Sequence, residues 1–134
     1  MKKLFILTLL ICLLTGCVAT STSNDTTITF SDNGISTSLK DGIVISGSSL
    51  TINKEGTYTV TGSSTDGNIT INATNVTLVL DNIDLTSKDS APIICSKNSE
   101  VTIEILNTNT LSDSANNNDE NGNIDAENAV IKGK

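Results

Sequence analysis

The sequence predicts an all-β protein in which short parallel strands stack into a β-solenoid of about four coils. Apolar β-branched residues alternate with polar ones in runs of mostly three to five residues, and Gly, Asn, Asp or Ser separate the runs. No window after residue 25 shows the 3.6-residue apolar period of a helix. Residues 76–85 recur 25 positions later, at 101–111, with one extra residue in the second copy. A repeat of this length is typical of one supersecondary unit stacked on itself.

The predicted strands follow one another along the whole chain after residue 25. They cover 27–30, 43–46, 49–52, 57–60, 68–71, 76–80, 83–85, 92–94 and 101–105, with a last run that starts at 129. Because the second copy keeps the orientation of the first, equivalent strands are expected to pair in parallel, with Asp84 and Asn107 in turns. The residues predicted to point inward are Leu78, Leu80, Ile103 and Ile105. An antiparallel β-sandwich is the alternative architecture.

The first residues are predicted to be a targeting segment and not part of the fold. Lys2 and Lys3 precede an apolar run over 4–14, which is too short to span a membrane. The run ends in Leu-Thr-Gly-Cys at 14–17, which resembles the bacterial lipobox and predicts lipidation of Cys17. We therefore divide the chain into a signal peptide at 1–16, a polar tether at 17–25 and a domain at 26–134. An ordinary signal peptide is the alternative.

The composition excludes several classes of function. The chain has no His and no Trp, and its eight basic residues are all lysines, so Ser-His-Asp catalysis and histidine-based zinc sites are impossible. The net charge is −7, and about −9 once two lysines leave with the signal peptide. Such a chain does not favour nucleic acid as a partner. Cys95 is then the one domain thiol, and its apolar neighbours predict a buried core residue.

An acidic, Asn-rich insert lies between Leu111 and Ile124 in the second copy. Ca²⁺ takes six to eight oxygen ligands from carboxylates, amides and backbone carbonyls. The insert offers such oxygens on Asp113, Asn117, Asp119 and Glu120. The alternative is a solvated polar loop. No capping segment follows the run at 129, so we expect the fold to continue beyond this stretch of sequence.

The segment 75–87, the run Ala91-Pro92-Ile93-Ile94 and the stretch 109–113 with its insert resemble a family of secreted bacterial carbohydrate-binding domains. The resemblance extends from about Thr26 to the end of the chain. It implies a right-handed parallel β-helix, similar in fold to pectate lyase, that binds calcium and polysaccharides such as polygalacturonate or cellulose. Two departures are that the family domain is longer and that the insert here holds more Asn than Asp.

The predicted function is a lipoprotein on the extracellular face of the cell membrane that binds an acidic plant polysaccharide such as pectin without cleaving it. Its lipid anchor would be its only contact with the membrane. Phe30 and Tyr58 are the only aromatic residues after the signal, so a stacking platform for sugars is not expected. Calcium is expected to bridge the acidic protein and the acidic glycan. The alternatives are a polysaccharide lyase, for which Lys88 and Lys97 offer no plausible base, and a structural adhesin.

Overall fold

The computed structural model describes residues 25–113 and 129–133, and every regular element in these ranges is a β-strand. No helix in these ranges is long and apolar enough to cross a membrane. The prediction of an all-β protein is therefore confirmed. The strands are β1 (Asp25–Ser31), β2 (Gly34–Thr37), β3 (Ile43–Ser46), β4 (Ser49–Ile52), β5 (Gly56–Ser64), β6 (Asn68–Ile71), β7 (Val76–Ser87), β8 (Ile93–Cys95), β9 (Val101–Leu106), β10 (Thr110–Asp113) and β11 (Ala129–Gly133).

The strands form two sheets, and consecutive strands from β4 to β9 alternate between them. The first sheet, sheet A, has seven strands in the order β11-β9-β7-β5-β1-β2, and β10 also pairs with β7. The second, sheet B, has four strands in the order β3-β4-β6-β8. Among the described strands, seven of the nine pairings are parallel. An antiparallel sandwich is thus the wrong architecture.

The internal repeat pairs with itself in register, as predicted. Val76 lies opposite Val101, Leu78 opposite Ile103 and Leu80 opposite Ile105. Leu85 lies opposite Leu111 on β10, and the extra residue of the second copy falls in the corner before that strand. A parallel neighbour can be reached only through a crossover connection. Here the connection between the paired strands β7 and β9 contains β8, which belongs to the other sheet.

Asp84 and Asn107 were both predicted to lie in turns, and the structure places only Asn107 in one. Asn107 has a positive φ of 56° and lies outside the strands, as expected of a turn residue. Asp84, by contrast, lies inside β7 and is exposed, so its predicted place in a turn is wrong. The reason is that β7 continues past its own corner: Asn82 takes a φ of 54°, and the chain resumes pairing with β5 and β10.

The core consists of apolar columns that run through both sheets. On sheet A, Val60 and Leu80 stack in register, and Ile105 packs partly buried beside them. On sheet B, Leu50 stacks on Ile69. Full burial of one such side chain contributes about 1.5–3 kcal/mol. The described residues contain no buried side-chain nitrogen or oxygen without a hydrogen-bond partner, so polar groups do not oppose this packing.

Two antiparallel hairpins close the N-terminal end of the stack. Asp32 and Asn33 connect β1 to β2, while Gly47 and Ser48 connect β3 to β4. Gly47 has a φ of 61°, which suits the first position of a two-residue hairpin loop. Among the described strands, β2 is the edge of sheet A and β3 the edge of sheet B, and β2, β3 and β4 with their connections form a cap at residues 34–54.

Candidate functional site

The outer face of sheet A carries rows of hydroxyl groups at a fixed spacing. Thr57, Thr77 and Thr102 lie opposite one another on β5, β7 and β9, and all three are half-buried. Neighbouring strands are about 4.8 Å apart, so this row spans about 10 Å. Parallel in-register pairing thus produces a flat, regular surface of donors and acceptors, which can follow an extended chain of hydroxyl-bearing units.

A second row on the same face ends in a carboxylate. Thr59 lies opposite Val79, and Val79 lies opposite Glu104. Val79 is 7% exposed and does not belong to the main hydrophobic cluster of the core. The face therefore combines hydroxyl groups and one apolar side chain with two acidic residues, Glu104 and, opposite Thr57, Asp25.

Neither aromatic side chain of the described chain can stack on a sugar. Phe30 and Tyr58 are both 2% exposed and belong to the core. The Tyr58 hydroxyl donates a hydrogen bond to the Lys54 carbonyl oxygen at 2.8 Å, and burial raises the pKa of this phenol. The prediction that no aromatic platform exists is confirmed for residues 25–113.

The corner between the two halves of β7 holds a network of amides. The Asp81 carboxylate accepts hydrogen bonds from the Asn82 and Asn107 side-chain amides, at 2.9 and 2.6 Å. Asn109 accepts a hydrogen bond from the Ile83 N–H at 3.0 Å and donates one to the Leu106 carbonyl oxygen at 2.7 Å. Asp81 is thus occupied in holding two successive repeats together at their corner.

An open depression of about 410 Å³ lies where both N-terminal hairpin loops meet the end of β5. Asp32 and Asp66 contribute carboxylates to its lining, together with Ser, Thr, Asn and Gly residues. The Lys88 ammonium lies 3.9 Å from the Asp66 carboxylate, and the Lys88 N–H donates to the same carboxylate at 3.4 Å. The depression has room for one or two sugar rings. Sequence reasoning missed it, because its lining comes from three separate turns; the Asp-Asn-Gly run at 32–34 was the available signal for the first.

Only one of the four predicted calcium ligands lies in the described residues. Asp113 is the last residue of β10 and is exposed. Asn117, Asp119 and Glu120 lie outside the described ranges, as does Cys17. Within those ranges, no group of three or more His, Cys, Asp or Glu residues comes together around one point. A calcium site on the insert stays a prediction.

Cys95 is the free cysteine of the described chain. Its side chain is 7% exposed at the end of β8, and burial raises the pKa of the thiol. A raised pKa keeps the sulfur protonated, which makes it a poor nucleophile. The prediction of a buried core cysteine is confirmed.

Comparison with known proteins identifies the family. Residues 46–134, more than half of the chain, match a family described as "carbohydrate-binding domain-containing protein". The chain belongs to this carbohydrate-binding domain family. No curated protein is similar enough to the chain to match. The matched residues of the carbohydrate-binding domain begin in β3, later than the predicted start near Thr26, and include both copies of the internal repeat, as predicted.

One solved structure supports the same relationship. It is the polysaccharide lyase-like protein from C. thermocellum, determined as a gadolinium derivative, with a TM-score of 0.69 and 26% sequence identity. The similarity covers 81% of this carbohydrate-binding domain chain and 49% of the C. thermocellum chain. The chain therefore spans about half the length of that relative.

Proposed function

We propose that this protein is a lipid-anchored module of the cell surface that binds an acidic polysaccharide such as pectin through calcium, without cleaving it. The observation that carries the proposal is the in-register threonine row on a flat face without aromatic side chains, in a chain that belongs to a carbohydrate-binding family. With no aromatic face available, recognition depends on hydrogen bonds and on charge.

We infer that the two sheets are the walls of a right-handed parallel β-helix. Its support is the alternation of consecutive strands between sheets and the parallel pairing of successive repeats. The likeness to the polysaccharide lyase-like protein supports the same architecture. In such a helix the outer faces grow by one row for every coil, so a long polymer can be held by many weak, equivalent contacts.

Calcium would allow this negatively charged protein to bind a negatively charged glycan. The chain carries −7 and an acidic glycan is also negative, so the two repel unless a cation joins their carboxylates. We assign this cation to Asp113, at the exposed end of β10, and to Asn117, Asp119 and Glu120 of the insert.

The test is sedimentation of the protein with polygalacturonate, in millimolar calcium and in excess chelator. We expect co-sedimentation with calcium, loss of it with chelator, and no binding to an uncharged polysaccharide. Asp113→Ala is expected to weaken binding, while Glu55→Ala, an exposed acidic residue in the turn before β5, leaves it unchanged. Binding that persists in chelator, or equal weakening by both substitutions, would show that the insert is not the cation site.

Cys17 is assigned as the lipidated residue. Cys17→Ser is expected to abolish incorporation of labelled fatty acid and to leave an unprocessed precursor. Incorporation that continues in this variant would rule out the lipobox, without any consequence for glycan binding.

A lyase is the second candidate, and Lys88 is the observation that favours it. Its ammonium group approaches Asp66, which lines the depression, and the solved relative is called lyase-like. The absence of Arg and His from the sequence favours binding over cleavage. Absorbance of an unsaturated product after prolonged incubation with polygalacturonate and calcium would establish the lyase instead.

A further inference from the structure

The capped N-terminal end of the stack leaves apolar side chains uncovered. Val44 is 55% exposed and Ile45 38% exposed on β3, and Leu39 is 47% exposed in the segment before it. Val44 lies opposite Thr51 and points to the outer side of sheet B, whereas Ile45 lies opposite the buried Leu50 and occupies the core side. Ile45 is exposed because β3 is the edge strand and no further strand of the described chain covers it.

The charge of this end differs from that of the whole chain. Residues 34–54 contain Lys40, Lys54 and Asp41, and the adjoining strand β1 and its loop add Asp25 and Asp32, so this end carries −1 in a chain of −7. Asp41 is paired with Lys54 at 2.5 Å, which leaves Lys40 as the uncompensated charge of residues 34–54. Apolar side chains can insert at the interface of a lipid bilayer, and a neighbouring lysine adds a modest attraction to anionic headgroups.

The chain also places this end close to the proposed anchor. β1 starts at Asp25, and β1 is directly next to the edge strand β2. Only residues 18–24 separate Cys17 from β1, and even fully extended that stretch spans about 28 Å. A lipid on Cys17 therefore keeps the cap within reach of the membrane at high effective concentration.

We propose that the N-terminal cap, through Leu39, Val44 and Ile45, docks on the lipid bilayer that holds the anchor. The proposal rests on the proposed lipidation of Cys17 and extends it, because docking orients the two sheets with the strands after β4 away from the membrane. The preceding segment is a poorer occupant, since Val18 and Ala19 are its only apolar residues.

The absence of tryptophan from the chain makes a direct test possible. The full-length lipoprotein with Val44→Trp is reconstituted into phosphatidylcholine–phosphatidylglycerol vesicles whose acyl chains carry bromine. The control is Leu106→Trp, which replaces an apolar residue of comparable exposure, 39%, on β9. β9 lies four strands from the edge strand β2, or about 19 Å. Leu39→Trp repeats the test at a site outside the strands, should Val44→Trp fail to fold.

We expect a blue-shifted emission and quenching of most of the tryptophan fluorescence of the Val44→Trp variant on brominated vesicles, with no change for the Leu106→Trp variant. Recovery of the protein with the vesicles is measured first, so that failure of the anchor is seen separately from failure of docking. Recovered protein with no quenching at position 44 or 39, or with equal quenching at position 106, overturns the proposal. A blue shift that depends on protein concentration and not on vesicles would assign the cap to a second copy instead.

Discussion

The cap at residues 34–54 and the repeat at residues 76–111 are both made of strands, but their strands are paired differently. In the repeat, β7 has parallel neighbours on both sides, β5 and β9, and its apolar side chains lie opposite those of both strands. In the cap, β2 and β3 turn back antiparallel and are paired on one side only. Apolar residues of β7 such as Leu78 are therefore buried, while Val44 and Ile45 on the edge strand β3 are exposed and Leu50, one strand further in, is buried. Strand sequence alone does not decide burial; position in the stack does.

The largest expected effect compares one apolar residue from each region. Leu78→Ala removes a fully buried side chain between Tyr58 and Ile103 and is expected to lower the free energy of unfolding by about 2–5 kcal/mol. Val44→Ala, on the exposed cap, is expected to change it by less than about 0.5 kcal/mol. Urea unfolding followed by circular dichroism measures both. Similar losses would mean that the cap packs as tightly as the repeat.

Gly62 and Gly47 differ in how closely the neighbouring backbone approaches them. Gly62 has a φ of 91°, and a Cβ there would lie 2.2 Å from the Phe30 carbonyl oxygen on the neighbouring strand. Gly62→Ala is expected to lower stability by at least about 2 kcal/mol, since β1 and β5 must separate. A Cβ on Gly47 would meet nothing within 4 Å, so Gly47→Ala meets only the strain of its φ of 61°, about 1 kcal/mol. Equal melting temperatures for the two variants would contradict this ranking.

The corner amides give a smaller effect. Asn109→Ala leaves the Ile83 N–H without its acceptor and is expected to lower stability by about 1–2 kcal/mol. Thr108→Ala is the control, because Thr108 is exposed one residue away. Hydrogen exchange of the Ile83 amide should accelerate in the first variant alone. Unchanged exchange there would show that another acceptor replaces Asn109.

The smallest expected effect is that of the ion pair in the cap. Hydrogen bonding and attraction to Lys54 lower the pKa of Asp41, so the pair favours folding above the usual aspartate pKa and loses this contribution as pH falls through the lowered value. Both groups are exposed to water, and Asp41→Asn is expected to leave the melting temperature at pH 7 nearly unchanged. A clear drop at pH 7 that vanishes in acid would show a stronger pair than its exposure implies.

The sequence predicted the repeat far better than the cap, for a physical reason. Parallel stacking of similar segments follows from a repeat that can be aligned by eye, and residues 78 and 103 pair as that alignment requires. The hairpins depend on turn geometry, such as the positive φ of Gly47, and on which edge lacks a neighbour. Asp84 was misplaced because a positive φ at Asn82 lets β7 bend without ending. The depression was beyond sequence reasoning, since its lining is assembled from loops distant in the chain.

Modification of the buried Cys95 thiol would report each detachment of β8 from sheet B. The thiol lies on β8, the edge strand at the other end of sheet B from β3, and is shielded only while that strand stays in place. In the folded chain it is protonated and sheltered, so thiol reagents can reach it only when β8 detaches. Each modification would then hold the strand open, because the added group no longer fits beside Ile71. A reversible fluctuation of one edge strand would thus become a lasting loss of the sheet.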